Sequence, residues 1–253
     1  AKNRSRSPGG CSEWTGDGDD QIIAKQWAQI TSADSLDLGA GTADVVESED
    51  ETTINASDKT TFGYFKNAEI LRLSTANSHY TVDMNAFTSA KHVILSGGTV
   101  ASEHGTSGQA GADVIDVTMD NDDILELVGP FAGETAGAAN AAASNTSGTG
   151  ASGADALDID VAVDTGNNIA TVRLVGNADL TGGNGEKAKS TKTGGTAGDA
   201  VNAENIDTLN LVVVGTATAG NSAATVTFAN GSGGATGGAG AGTDGVDITV
   251  AAN

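Results

Sequence analysis

The amino-acid sequence predicts an all-β fold, a right-handed parallel β-solenoid with irregular Gly/Ala/Thr-rich insertions, on three observations. Apolar and polar residues alternate strictly through many short stretches, the period of a half-buried strand. β-Branched residues are abundant in those stretches and suit a pleated surface. A short Gly-x-Asp-x-apolar pattern recurs ahead of several of them, as stacked repeats leave in sequence. A β-sandwich is the architectural alternative.

Composition narrows the function. The 253 residues carry 33 acidic against 12 basic side chains, a net charge of -21. A surface this anionic repels phosphate and acidic lipid headgroups, so neither nucleic acid nor a membrane surface is an expected partner. No apolar run approaches about 18 residues, so no membrane span is expected. The single cysteine, Cys11, excludes an internal disulfide framework and a cysteine-rich zinc site. It reads most simply as a free thiol, with an intermolecular disulfide as the alternative. With 4% aromatic residues and an apolar fraction carried largely by Ala, a bulky aromatic core is not expected.

From the N-terminus, Ala1-Lys2-Asn3-Arg4-Ser5-Arg6 leads into Ser7-Pro8-Gly9-Gly10 and not into the apolar stretch of a signal peptide. Residues 1–14 read as a flexible segment, 15–128 as a first β-solenoid unit and 129–253 as a second with long insertions. Strands are expected at 70–73, 80–84, 92–95 and 124–128. In Asp113-Val114-Ile115-Asp116-Val117-Thr118-Met119, Ile115, Val117 and Met119 share one face, and Asp116 and Thr118 the other. The same alternation runs through 157–163, 208–213 and 246–250, with shorter strands at 170–175 and 224–228. Between them lie Gly, Ala, Ser, Thr and Asn tracts at 132–153, 176–198 and 230–242, which read as loops without a packed core of their own. Only 136–143 has any helical character there, weakened by Gly137.

Segments recur in the same order over two units of about 90 residues. After Asp20 come Asn67-Ala68-Glu69-Ile70-Leu71-Arg72-Leu73, Thr81-Val82-Asp83-Met84 and the pattern at Asp113. After Asp155 come Asn205-Ile206-Asp207-Thr208-Leu209-Asn210-Leu211, Thr225-Val226-Thr227-Phe228 and the pattern at Asp244.

The glycine-aspartate pattern carries the candidate chemistry. Glycine permits turn conformations closed to other residues. Turn carbonyls and an Asp carboxylate are hard oxygen ligands suited to Ca²⁺. The candidate ligands are Asp20, Asp44, Asp113, Asp155 and Asp244, with Asp17 and Asp19 adding charge to the first site. A plain turn or strand-start role is the competing reading for each. Outward-facing Asp116, Asp158, Asp160 and Asp247 read as a solvated strand face, yet stacked repeats would align their charges a few Å apart, and cations would relieve the repulsion. Asp120-Asn121-Asp122-Asp123 reads most simply as a polar turn, with a further cation site as the alternative, and lacks the Gly and distal Glu of an EF-hand loop.

Thr15-Gly16-Asp17-Gly18-Asp19-Asp20-Gln21-Ile22-Ile23 resembles the RTX nonapeptide, in which Gly-rich turns bind Ca²⁺ and a large apolar residue enters a solenoid core. Ser35-Leu36-Asp37-Leu38-Gly39-Ala40-Gly41-Thr42-Ala43-Asp44-Val45-Val46, with the segments at 68–73 and 80–84, is similar to the Ca²⁺-dependent RTX-type surface-layer (S-layer) proteins of Gram-negative bacteria. The resemblance implies type I secretion, an extracellular location at the bacterial cell surface, and assembly of copies of the chain with Ca²⁺ into a lattice or filament. Cell-surface polysaccharide would be a further partner through a region not identifiable in these residues.

No enzyme is expected. There is no G-x-S-x-G elbow, and His79, His92 and His104 lack the spacing of a metalloprotease helix. Gly182-Gly183-Asn184-Gly185-Glu186-Lys187 lacks the ending of a phosphate loop. Lys187, Lys189 and Lys192 read as a solvated loop or a contact for an acidic face of a neighbouring subunit. The alternatives to a structural protein are a segment of a secreted RTX adhesin and, less favoured, a polysaccharide-active solenoid enzyme.

Overall fold

The computed structural model describes residues 3–5, 12–14, 17–24, 27, 30–32, 34–50, 52–55, 58–75, 79–87, 89–96, 111, 113–129, 131–132, 154–161, 169–175, 180–181, 201–204, 208–214, 228–229 and 246–248. They form an all-β structure of parallel sheets. The largest sheet has eight strands, in spatial order β1 (Asn3–Ser5), β3 (Gln21–Ala24), β5 (Val45–Ser48), β8 (Ile70–Leu73), β10 (His92–Ser96), β12 (Ile124–Val128), β15 (Ile169–Val175) and β18 (Thr208–Val214). A six-stranded sheet runs β6 (Thr53–Ile54), β9 (Tyr80–Asp83), β11 (Ile115–Met119), β14 (Leu157–Val161), β17 (Val201–Glu204) and β20 (Val246–Ile248). Two three-stranded sheets join β2 (Ser12–Trp14), β4 (Ser35–Asp37) and β7 (Phe65–Lys66), and β13 (Phe131–Ala132), β16 (Leu180–Thr181) and β19 (Phe228–Ala229).

Within every sheet the strands stack in chain order. From β12 onward the chain visits the eight-stranded sheet, the second three-stranded sheet and the six-stranded sheet in a fixed cycle, three times over.

Parallel register turns sequence alternation into columns, because residues of one phase on successive strands lie level with one another. Ile22, Val46, Leu71, Val93, Leu125 and Val172 form one buried column of the eight-stranded sheet. Two residues along, Ala24, Ser48, Leu73, Leu95, Leu127 and Leu174 form another. Ile54, Val82, Val117, Ile159 and Ala203 do the same in the six-stranded sheet. Each fully buried Val, Leu or Ile contributes about 1.5–3 kcal/mol relative to exposure.

The predicted faces of 113–119 hold: Ile115, Val117 and Met119 are buried while Asp116 and Thr118 face outward. The strands expected at 70–73, 92–95, 124–128, 170–175 and 208–213 correspond to β8, β10, β12, β15 and β18. Residues 162–163, 249–250, most of 224–228 and the whole of 136–143 lie outside the described residues.

Other expectations meet a different arrangement. Residues 1–14, read as flexible, contribute β1 and β2, whose hydrogen-bonded partners are β3 and β4. The expected boundary at 128/129 does not interrupt the sheets, since β12 pairs β15 and β11 pairs β14 across it. The few aromatic residues gather instead of thinning out. Trp27 meets Phe62 edge-on at 5.3 Å between ring centres, and Phe62 lies 4.6 Å from Phe87. Phe62 comes from a single helical turn, α1 (Lys59–Phe62), and Met84–Ala86 forms a 3-10 turn directly after β9.

Candidate functional site

The glycine-aspartate residues occupy two places. Asp20, Asp44 and Glu69 each directly precede a strand of the eight-stranded sheet, and because Gln21, Val45 and Ile70 are in register, the three acids stack. Asp44 Oδ1 accepts the Asp20 backbone N–H at 2.7 Å, and Asp44 Oδ2 accepts that of Gly41 at 3.2 Å. Glu69 Oε2 repeats the contact one level on, accepting the Asp44 N–H at 2.9 Å. Asp19 Oδ1 accepts from Thr42 and Ala43 N–H, both at 3.1 Å. Asp17 and Asp19 are exposed, whereas Asp20 and Asp44 are buried. Gly18 supplies the turn with φ 103°, a region that favours glycine. Gly41 is needed for space, because a Cβ there would sit 2.5 Å from Asp44 Oδ1.

Asp113 and Asp155 belong to the six-stranded sheet. Asp113 Oδ1 accepts the Asp155 N–H at 2.7 Å, and the Asp155 carbonyl accepts from Val114 N at 3.2 Å. The structure therefore joins Asp19, Asp20 and Asp44 through one pair of turns and Asp113 with Asp155 at another, and gives Asp17 only an exposed position beside the first. Asp244 lies outside the described residues. The two long sequence units consequently do not start at equivalent positions, since Asp20 opens a strand of one sheet and Asp155 a strand of the other.

These geometries bear on Ca²⁺, which takes roughly six to eight converging oxygens. The Asp44 carboxylate is fully buried and each of its oxygens accepts one backbone N–H. Asp44 as placed serves the backbone. Asp113 has one oxygen engaged in the same way. Among the described residues no group of three or more His, Cys, Asp or Glu side chains converges as a metal site.

Carboxylates do align on the outer face of the six-stranded sheet. Thr81, Asp116, Asp158 and Asn202 form one outward column and Asp83, Thr118 and Asp160 the next, with Glu204 level with Asp160 in strand register. Asp247 is level with Asn202 in strand register. Adjacent strands are roughly 4.8 Å apart, so Asp116 and Asp158 are like charges held in register, and Asp160 and Glu204 are acidic residues at paired positions. Loss of hydration around its carboxyl, then the charges of Asp113 and Asp160, raise the pKa of Asp116. Asn202 Nδ2 donates to Asp158 Oδ1 at 3.1 Å, the neutral amide breaking the acidic run.

The 120–123 segment is a turn, as its polar composition predicts. Asp123 Oδ2 accepts the Asp120 N–H at 2.8 Å, and Asn121 Oδ1 accepts that of Ile169 at 2.8 Å. Asp123 is buried and its Oδ1 pairs with Lys91 Nζ at 3.1 Å. Lys91 directly precedes β10 and Asp123 directly precedes β12, so the pair continues the stack begun by Asp20, Asp44 and Glu69. A lysine stands where an unbroken acidic column would set Glu69 near Asp123.

Sequence reasoning missed a second charged surface. On the outer face of the eight-stranded sheet, Glu47 pairs with Arg72 at 3.6 Å and Glu126 with Arg173 at 3.1 Å, while His92 Nε2 lies 3.3 Å from Glu126. The only signal in sequence is a charged residue at the third position of three strands and at the fifth of a longer one, and strand register alone makes neighbours of them. Comparison with protein-family models, curated proteins and solved structures gives no match.

Proposed function

We propose that the chain is a non-catalytic, extracellular structural protein of a bacterial cell surface that assembles with Ca²⁺ into a lattice or filament of its own copies. The sheets fit a right-handed parallel β-solenoid: parallel strands stacked in chain order, and a fixed cycle from sheet to sheet after β12, are what winding the chain into coils would produce. The observation that carries the reading is the register of Asp116 with Asp158 and of Asp160 with Glu204. An exposed ladder of like charges opposes both compact folding and the approach of a second copy. A hard divalent cation between neighbouring carboxylates removes that penalty.

The cation is thus assigned to the outward columns, and the buried Asp44 is left to hold the backbone. Ca²⁺ would neutralise these carboxylates in pairs, and a neighbouring copy or loop carbonyls would supply further oxygens. Electron microscopy and light scattering of the full chain, first with Ca²⁺ and then with chelator, test the proposal. Ordered arrays that disperse in chelator are expected. A monomer in both conditions overturns it.

A further inference from the structure

Seven successive strands place Ile23, Glu47, Arg72, Ile94, Glu126, Arg173 and Val212 in one column on the outer face of the eight-stranded sheet. Read along the stack, the column is apolar, negative, positive, apolar, negative, positive, apolar. Inverting the column about Ile94 exchanges Glu47 with Arg173, Arg72 with Glu126, and Ile23 with Val212. A two-fold axis parallel to the strands and passing over Ile94 makes this inversion when one sheet face is laid on a copy of itself. It sets every acid against a base and every apolar residue against an apolar one.

The neighbouring outward column obeys the same operation. Gln21, Val45, Ile70, His92, Ile124, Thr171 and Asn210 are level with the first set. The axis brings Ile70 onto Ile124, Val45 onto Thr171 and Gln21 onto Asn210. Opposite charge across an interface fixes register and orientation, and an isologous contact requires such self-complementarity.

We infer that the outer face of the eight-stranded sheet is a two-fold contact between copies of this chain, centred on Ile94. The inference rests on the self-assembly reading above and names one of its contact surfaces. The six-stranded sheet cannot make this contact by itself, because Asp116, Asp158 and Asp160 would find only acids or neutral Thr and Asn opposite them and no base. One face is therefore self-complementary without cations and the other self-repelling without them.

Val212 is 44% exposed and the Arg72 and Arg173 side chains are each 36% exposed, whereas the Glu47 and Glu126 side chains are 14% exposed and Ile94, on the axis, is buried at 6%. The two bases and Val212 are therefore the parts of the column most open to a partner. Seven levels span roughly 29 Å, and two columns of that length bury on the order of 1,000 Å² in total, at the low end for a specific interface. One such contact is weak, and repetition through an array would strengthen it.

A charge exchange between copies tests the inference on the full chain. Glu47→Arg combined with Arg72→Glu keeps the ion pair within the sheet and the net charge, but opposes like charges across the axis. Glu126→Arg combined with Arg173→Glu does the same from the other half. By sedimentation equilibrium, with circular dichroism establishing that each variant is folded, each alone should associate at least tenfold more weakly than the parent chain. An equimolar mixture should recover most of that loss, because each variant then faces its complement.

Half-exchanged chains that associate like the parent, a mixture without recovery, or a parent chain that stays monomeric would each overturn the inference. Arrays that form in Ca²⁺ from both variants unchanged would sink this contact and keep the lattice reading. Dimers that never form arrays would do the opposite.

Discussion

Asp44 Oδ1 takes the backbone N–H of Asp20 at 2.7 Å from 24 residues along the chain. The carboxylate is an internal acceptor for a neighbouring level, at the point where a turn becomes a strand. Leaving one buried and one half-buried N–H group unpaired is costly, so Asp44→Ala should lower stability by about 1–3 kcal/mol. The urea midpoint, read with an unchanged slope, measures this. Asp44→Asn keeps one oxygen and should cost less. Equal stability of all three chains would show that the amides find other acceptors.

Gly41→Ala probes the same contact from the opposite side. Its Cβ would lie 2.5 Å from Asp44 Oδ1, so the carboxylate must move and a loss of about 1–3 kcal/mol is expected. Combined with Asp44→Ala, the glycine substitution should cost little more than Asp44→Ala alone, because the clash has gone. Full additivity would refute the coupling.

Asp116 has a folded pKa above its ordinary 3.8 through lost hydration and the charges of Asp113 and Asp160. A raised carboxyl pKa contributes stability that is fully present below 3.8 and lost as pH rises through the folded value. Asp116→Asn should therefore raise Tm at pH 7 and have no such effect at pH 3. If Ca²⁺ sits beside Asp116, its addition should narrow the neutral-pH difference. A lower Tm for the variant at pH 7 without Ca²⁺ would contradict the like-charge account.

His92 is held below its ordinary 6.5, first by burial and then by Arg173 and Arg72, against the opposing pull of Glu126. A lowered histidine pKa contributes stability that is present above 6.5 and lost as pH falls through the folded value. NMR titration of the His92 ring should give a midpoint under 6.5, and His92→Gln should flatten the stability profile just below that pH. A midpoint above 6.5 would mean that Glu126 prevails.

Lys91 is about half exposed and its partner Asp123 is buried. Lys91→Met removes the cation and leaves the carboxylate in place, an asymmetric loss expected to cost about 1–3 kcal/mol after allowance for solvent screening. The double variant with Asp123→Asn should recover part of it. No loss in the single variant, followed by thermal unfolding, would assign the pairing no net weight.

The strand faces were legible because their signal is local. Ile115, Val117 and Met119 lie within five residues, and a period of two places them together whatever the rest of the chain does. Register was not legible. The turns at Asp20 and Asp113 share a pattern, yet one opens into the eight-stranded sheet and the other into the six-stranded sheet. Gly-x-Asp encodes a turn and leaves the destination of the next strand open.

The Ca²⁺ reading likewise saw acids near glycine but could not see that Asp44 would be enclosed with N–H donors around it. The pairing of Glu47 with Arg72, and the clustering of Trp27, Phe62 and Phe87, join residues far apart in sequence. Composition gave their number, and stacking decided their neighbours.

Levels of these sheets need not be equally spaced in sequence. Asp20 and Asp44 are 24 residues apart and Asp44 and Glu69 25, while Asp113 and Asp155, also on adjacent levels, are 42 apart. Strand spacing is set by backbone hydrogen bonds and is indifferent to how much chain passes between one level and the next. Column residues and connecting residues are thereby under separate constraints. The connections can lengthen, shorten and change composition among variants of this protein, while a one-residue shift inside a strand would turn a buried column outward.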